Sequence, residues 1–124
     1  MSTIQSRVLG AGVAFCFIFL SGFWLGRSEK PYHVLLLNVH KLIGLAVFVF
    51  FVVTIYQMNK TTALSALELA AGVVTGLFFI GTIISGGLVT IDKPWPAVVS
   101  TMHKLLPWLT ALSTAVTSYL LLSK

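Results

Sequence analysis

Carboxylates are the scarcest chemistry in this chain. Three of its 124 residues are acidic and eight are Lys or Arg, whereas 57% are hydrophobic. A soluble domain this small needs a charged surface to stay dissolved, and these residues cannot build one. A soluble globular protein is thereby excluded, and the bilayer becomes the expected solvent. Cysteine is limited to Cys16, which has no disulfide partner within the chain and no metal-type spacing, and which reads as a small buried hydrophobe. Basic runs are missing as well. A net charge of +5 and a pI near 9.7 would raise the question of nucleic acid, but the cations are scattered through loops and helix ends, so no nucleic-acid partner is expected. Linkers and low-complexity stretches are absent too, which makes 1–124 a single domain. No A-x-A-like cleavage site follows the first apolar segment, which ends in "SGFWLG" with bulky Trp24. It reads as a retained helix rather than a secretory signal.

What the chain does contain is four long apolar segments, at about 8–26, 34–56, 69–91 and 97–122. Crossing the hydrocarbon takes roughly 20 residues of helix, against about 10 for a barrel strand. Spanning segments must also satisfy their own backbone groups, and the length selects helices. The connections "RSEKPYH", "QMNKTTALSALE" and "DKPWP" are short, so sequential helices should be antiparallel neighbours. The expected fold is an all-α membrane protein, an up-down bundle of four transmembrane helices. Thr61 or Thr62 is the expected N-cap of the third helix, with Glu68 near its positive end.

An internal repeat organises the bundle. "EKPYHVLLLNVHKL" (29–42) lies over "DKPWPAVVSTMHKL" (92–105) at an offset of 63, without a gap. Lys30 meets Lys93, Pro31 meets Pro94, and His40-Lys41-Leu42 meets His103-Lys104-Leu105. Glu29/Asp92, Tyr32/Trp95 and Asn38/Thr101 are chemically alike. The unit is a helical hairpin used twice. Its upstream halves match less well, although "SG" at 21–22 and "SGG" at 85–87 fall just before each turn.

The repeat places His40 and His103 nine residues after equivalent prolines, on the same side and at the same depth, where the two imidazoles can face each other. Ionisable groups within a bilayer cost a few kcal/mol and usually face the interior and serve a function. Two imidazoles without a nearby Cys, Asp or Glu cannot fill a zinc site, but they complete the axial positions of a b-type haem. The expected cofactor is therefore one haem b per chain, with His40 and His103 as iron ligands. Ser100 and Pro107 share the face of His103, with Thr110, Ala111 and Thr114, and Gly44 lies one turn beyond His40, followed by Val47 and Phe51. Small residues on helix one (Ser21, Gly22, Gly26) and helix three (Ser85, Gly86, Gly87) would let a flat ring fit between helices. Lys41 and Lys104 should reach back toward the loop side, where with Arg27, Lys30 and Lys93 they could meet haem propionates.

Plainer readings stand beside these. Interfacial His and Lys also anchor helix ends, and a duplicated hairpin would copy that feature without a cofactor. Lys41 and Lys104 read as ordinary snorkelling residues before they read as specific propionate ligands. His33, replaced by Pro96 in the repeat, reads as a solvated interfacial side chain, and Met102, about 100° around the helix from His103, as core packing. The Gly22/Gly26 and Gly72/Gly76 pairs read as close helix packing. Phe23, Trp24, Tyr32, Trp95 and Trp108 form interfacial belts or line an electron path.

One histidine on helix two and another on helix four resemble one half of a haem A synthase, and more loosely a cytochrome b561-like membrane cytochrome b. The likeness covers nearly the whole chain in architecture, and its motif content is His40, His103 and their separation. It implies a bis-histidine haem. The chain departs from the synthases in having no E-x-x-H pattern at His40 and no cysteine pair in the first external loop, so hydroxylation of a haem methyl is not implied. The expected function is a small membrane cytochrome b for electron transfer, with a quinone, a partner oxidoreductase or a redox protein as its exchange partner. A prokaryotic cytoplasmic membrane is the expected location. Alternatives are a cofactor-free anchor or assembly subunit and a small transporter, although the latter is expected to carry an acidic residue within a helix and Glu68 is poorly placed for that. The residues leave open whether the chain is itself an oxidoreductase, which way it faces and how many copies assemble.

Overall fold

The computed structural model of the chain describes residues 3–27, 34–91 and 96–123. Its elements are four helices: α1 (Thr3–Arg27), α2 (Val34–Thr61), α3 (Ala66–Thr90) and α4 (Ala97–Leu122). Each is long and apolar enough to cross a membrane, and the described residues contain no strand. The chain is an all-α integral membrane protein, as its composition requires. It divides between Thr54 and Ile55 into two compact units, 1–54 and 55–124.

The helices are longer than their apolar segments. α1 begins at Thr3 rather than 8 and α2 runs to Thr61 rather than 56, while α4 has the expected bounds. Twenty-eight residues of α2 span about 42 Å at 1.5 Å per residue, more than the roughly 30 Å of hydrocarbon. Polar turns such as "YQMNKT" continue the backbone ladder into the interface. The edge of hydropathy marks the membrane, not the helix end.

The N-cap of α3 corrects the expectation of Thr61 or Thr62: Thr61 is still the last residue of α2, and Ser65 caps α3. The Ser65 hydroxyl accepts from the Glu68 amide at 3.2 Å, and the Ser65 amide donates to Glu68 Oε1 at 2.9 Å. This reciprocal capping box satisfies two amides that the first turn leaves without intrahelical partners. Glu68 lies in that first turn, where its charge suits the positive helix end.

In the first unit α1 and α2 run antiparallel: Arg7 donates to Thr54 at one end, and Ser21 meets His40 at the other. Arg7 also stacks its guanidinium 5.6 Å from the centre of the Phe50 ring. In the second unit α3 and α4 are antiparallel along a seam of hydroxyls. Thr75 meets Ser113 and Thr117, Thr82 meets Thr110 at 3.0 Å, and Ser85 meets His103. Thr75, Thr110 and Thr117 are at most 2% exposed, while most large apolar side chains face outward. Lipid is as good a solvent for Leu or Phe as a protein core, so these hairpins bury small polar side chains that let backbones approach and hydrogen-bond across.

Two side chains correct their expected environments for this reason. Cys16 is exposed rather than buried, and Met102 is 47% exposed rather than packed in the core. Apolar character in a bilayer does not pull a side chain inward.

The capping box yields a first prediction. Ser65→Ala should lower unfolding stability in micelles by about 1 kcal/mol, and Ser65→Gly by only a few tenths. Thr62→Ala should have no effect. Denaturant titration of the three variants reads the difference directly.

Candidate functional site

His40 and His103 are each the seventh residue of their helix, about 9 Å along the axis from its first residue. The positions that continue each stripe at heptad spacing are Val47 and Thr54 on α2, and Thr110 and Thr117 on α4, and all four are buried. Heptad spacing keeps side chains on the seam that faces the partner helix. Each histidine thus occupies the outermost inward position of its own hairpin. Both are half-buried, whereas the adjacent Lys41 and Lys104 are exposed. A one-residue step turns a helical side chain by about 100°, which separates the imidazole from its basic neighbour.

The preceding helix receives each ring in the same way. In the first unit, Ser21 Oγ lies 2.7 Å from His40 Nδ1 and donates its proton to the Ile18 carbonyl at 3.0 Å. In the second, Ser85 Oγ lies 3.1 Å from His103 Nδ1 and donates to the Thr82 carbonyl at 3.0 Å. That carbonyl also lies 3.2 Å from His103 Nδ1. The glycine after each serine makes room for the ring. A Cβ on Gly22 would stand 3.2 Å from His40 Cε1, and one on Gly86 only 2.7 Å from His103 Cε1.

These serine–glycine pairs are visible in the sequence, yet their link to the histidines is not. From Ser21 to Ser85 the offset is 64, against 63 from His40 to His103, because α1 continues six residues past Ser21 and α3 only five past Ser85, while the two connections are equally long. A gapless comparison slides Ser21 onto Ile84 and hides the match. A one-residue gap between the serine and the helix end restores it and aligns Ile18 with Thr82, the residues whose carbonyls the serine hydroxyls contact.

Other expected site residues are placed less tellingly. Pro107, equivalent to Gly44, lies within α4 four residues after His103, and both are half-buried. Ser100 is exposed. Thr110 and Thr114 are buried, each donating to a carbonyl four residues earlier. Gly26, Gly44, Gly76 and Gly87 have no described atom within 4 Å of a Cβ position, and Gly72 meets Ile55 at ordinary contact distance. Close packing through glycine is therefore concentrated at the histidines rather than spread along G-x-x-x-G pairs. Trp24 and Trp108 are exposed, as belt residues would be. The readings of His33, Lys30, Lys93, Tyr32 and Trp95, and the Glu29/Asp92 and Pro31/Pro94 matches, lie outside the described residues.

Among the described residues no three of His, Cys, Asp and Glu gather as a metal site. A porphyrin brings four nitrogens of its own and needs only two protein ligands, so an imidazole pair with each Nδ1 held fits it in donor chemistry. Compared with protein families, curated proteins and solved structures, the chain matches none.

The glycines generate a second prediction. Gly86→Ala should cost about 1–3 kcal/mol of unfolding stability by overpacking against the His103 ring, and Gly22→Ala less. Gly76→Ala, with open space around its Cβ, should be neutral or stabilise by roughly 0.5–1 kcal/mol. Equal losses at all three positions in micelle unfolding would show that the imidazoles do not lie over Gly22 and Gly86.

Proposed function

We propose that the protein is a small membrane cytochrome b in which His40 and His103 are the axial ligands of one b-type haem. The observation that carries this reading is the twofold occurrence of one arrangement: an inward imidazole, its Nδ1 at a serine hydroxyl and its ring over glycine. Metal-ligating histidines are usually oriented by a hydrogen bond to the nitrogen that does not bind the metal. A histidine that merely anchors a helix end has no need of that support in either copy. One imidazole per hairpin is also the number that two hairpins must supply to an iron already holding a porphyrin. The haem would supply one-electron redox chemistry, and the chain orients its ligands. Lys41, Lys104 and Arg27, all exposed, are suited to propionate carboxylates or to the interface. A quinone or a redox protein is the proposed exchange partner, in a prokaryotic cytoplasmic membrane. The architecture resembles half of a haem A synthase or a cytochrome b561-like bundle without the synthase's hydroxylation residues.

Protein purified from cells supplied with haem should be red, with one low-spin b haem per chain. His40→Ala and His103→Ala should each convert the iron to high spin and weaken haem retention, while His33→Ala should do neither. Lys41→Ala and Lys104→Ala should keep the low-spin spectrum and shift the reduction potential, since they remove positive charge without touching iron. Absorption and electron paramagnetic resonance spectra separate these outcomes. A colourless preparation that takes up no added haem overturns the proposal and leaves a cofactor-free membrane subunit.

A further inference from the structure

We propose that Arg7 is a binding site for the phosphate of an anionic phospholipid, at the end of the first hairpin away from His40; the site stands independently of the haem reading. Of the five described Lys and Arg residues, Arg27, Lys41, Lys60 and Lys104 are exposed, and Arg7 alone is half-buried. It is the fifth residue of α1, about 6 Å along the axis from Thr3, and the apolar run begins at the next residue. The guanidinium is therefore at the edge of the hydrocarbon. Two contacts with α2 fix how it lies. Arg7 Nη1 donates to Thr54 Oγ1 at 3.0 Å, and the guanidinium carbon is 5.6 Å from the centre of the Phe50 ring. Thr54 can accept because its own proton goes to the Phe50 carbonyl at 2.8 Å, so acceptor and ring come from one turn of α2.

A guanidinium carries five N–H donors in one plane, and Thr54 takes one of them. Among the described residues Arg7 has no carboxylate partner. Neither α1 nor α2 contains an acidic residue. Glu29 and Asp92 fall in the connections after α1 and α3, away from Arg7, and Glu68 takes part in the capping box of α3. The first hairpin thus gives Arg7 an orientation without a counter-charge. Phosphate suits an oriented fork because it can accept two parallel N–H bonds. At the hydrocarbon edge, the phosphate at hand is the phosphodiester of a lipid. The first turn of α1 has no acidic residue either, so the positive helix end adds to the charge of Arg7 and disfavours a headgroup amine. That selects phosphatidylglycerol, whose phosphate is its one charge, over phosphatidylcholine.

The test titrates the full-length chain in micelles with phosphatidylglycerol or phosphatidylcholine and counts bound lipid by native mass spectrometry. Arg7→Gln, which keeps a donor without the charge, should weaken phosphatidylglycerol binding about tenfold, the equivalent of one charge-assisted hydrogen bond. Phosphatidylcholine binding should be unchanged. Arg7→Lys should fall between, since an ammonium keeps the charge but not the fork. Lys60→Gln, an exposed cation near the end of α2, should bind as wild type does, which separates an oriented site from general surface charge. Thr54→Val should weaken binding and Thr54→Ser restore it, so a loss at Arg7 is distinguished from misfolding. Inorganic phosphate should not displace the lipid. Wild-type affinity in Arg7→Gln or Thr54→Val, or an equal loss in Lys60→Gln, overturns the proposal. Displacement by inorganic phosphate overturns it too, by showing a site for the free anion.

Discussion

A polar group inside hydrocarbon must find its partner within the protein, because leaving it unsatisfied costs several kcal/mol and no water is at hand. The backbone meets this demand by being helical throughout the spanning segments. The side chains meet it one turn back: Thr54, Thr75, Thr82, Thr110 and Thr114 each donate to the carbonyl four residues earlier, and Ser21 and Ser85 to the carbonyl three earlier. A hydroxyl oxygen whose proton goes to its own helix can accept from the neighbouring one, and where two hydroxyls meet, as at Thr82 and Thr110, one of them donates across instead. Arg7 donates to the one on Thr54, and the histidines hydrogen-bond those on Ser21 and Ser85. The interior of each hairpin is thereby built from small polar residues, and the large apolar ones are turned outward.

That inversion explains what can be read from the sequence. Four helices, their approximate spans and the repeated His-Lys pair follow from hydropathy and self-comparison, which do not depend on packing. Hydropathy misses the ends of α1 and α2 because helical hydrogen bonding continues past the hydrocarbon edge. The Ser65 cap is legible: "SALE" is a serine followed three residues later by glutamate, but the start of apolarity at 69 masks it. Cys16 and Met102 are misplaced by a rule for water-soluble cores, in which apolar means buried. The serine–histidine pairing needs the one-residue difference in serine-to-histidine spacing, and only the antiparallel register of each hairpin displays it.

Comparing the two hairpins shows which part of the duplicated unit is common to both. At the far end from the histidines, Thr54 pairs with a charged Arg7, while its equivalent Thr117 pairs with Thr75. In the middle, Val47 on one stripe corresponds to Thr110 on the other, so one interface is apolar where its counterpart is hydrogen-bonded. Near the histidines the correspondence becomes close: serine, glycine, imidazole and the carbonyl that takes the serine proton recur at matching positions. Any interface that satisfies its polar groups can hold two helices together, and the first two levels vary within that freedom. An imidazole presented to a third group needs a fixed rotation and a fixed proton. The recurrence at the histidine level is what such a requirement would produce.

The remaining difference near the site is Pro107 against Gly44. Proline has no amide hydrogen, so the carbonyl of His103 lacks the donor that an ordinary helix supplies four residues on, whereas Gly44 supplies one to His40. The turn bearing His103 is therefore tied by one backbone bond fewer than its counterpart on α2. Its ring is placed over Gly86 at a distance no Cβ could share, and its Nδ1 reaches a main-chain carbonyl as well as a hydroxyl. These features offset one another. A weaker backbone ladder would let the imidazole wander in rotation and depth, and seating it against bare α3 backbone with two acceptors removes that freedom. The turn with fewer backbone bonds carries a ring fixed from the facing helix instead.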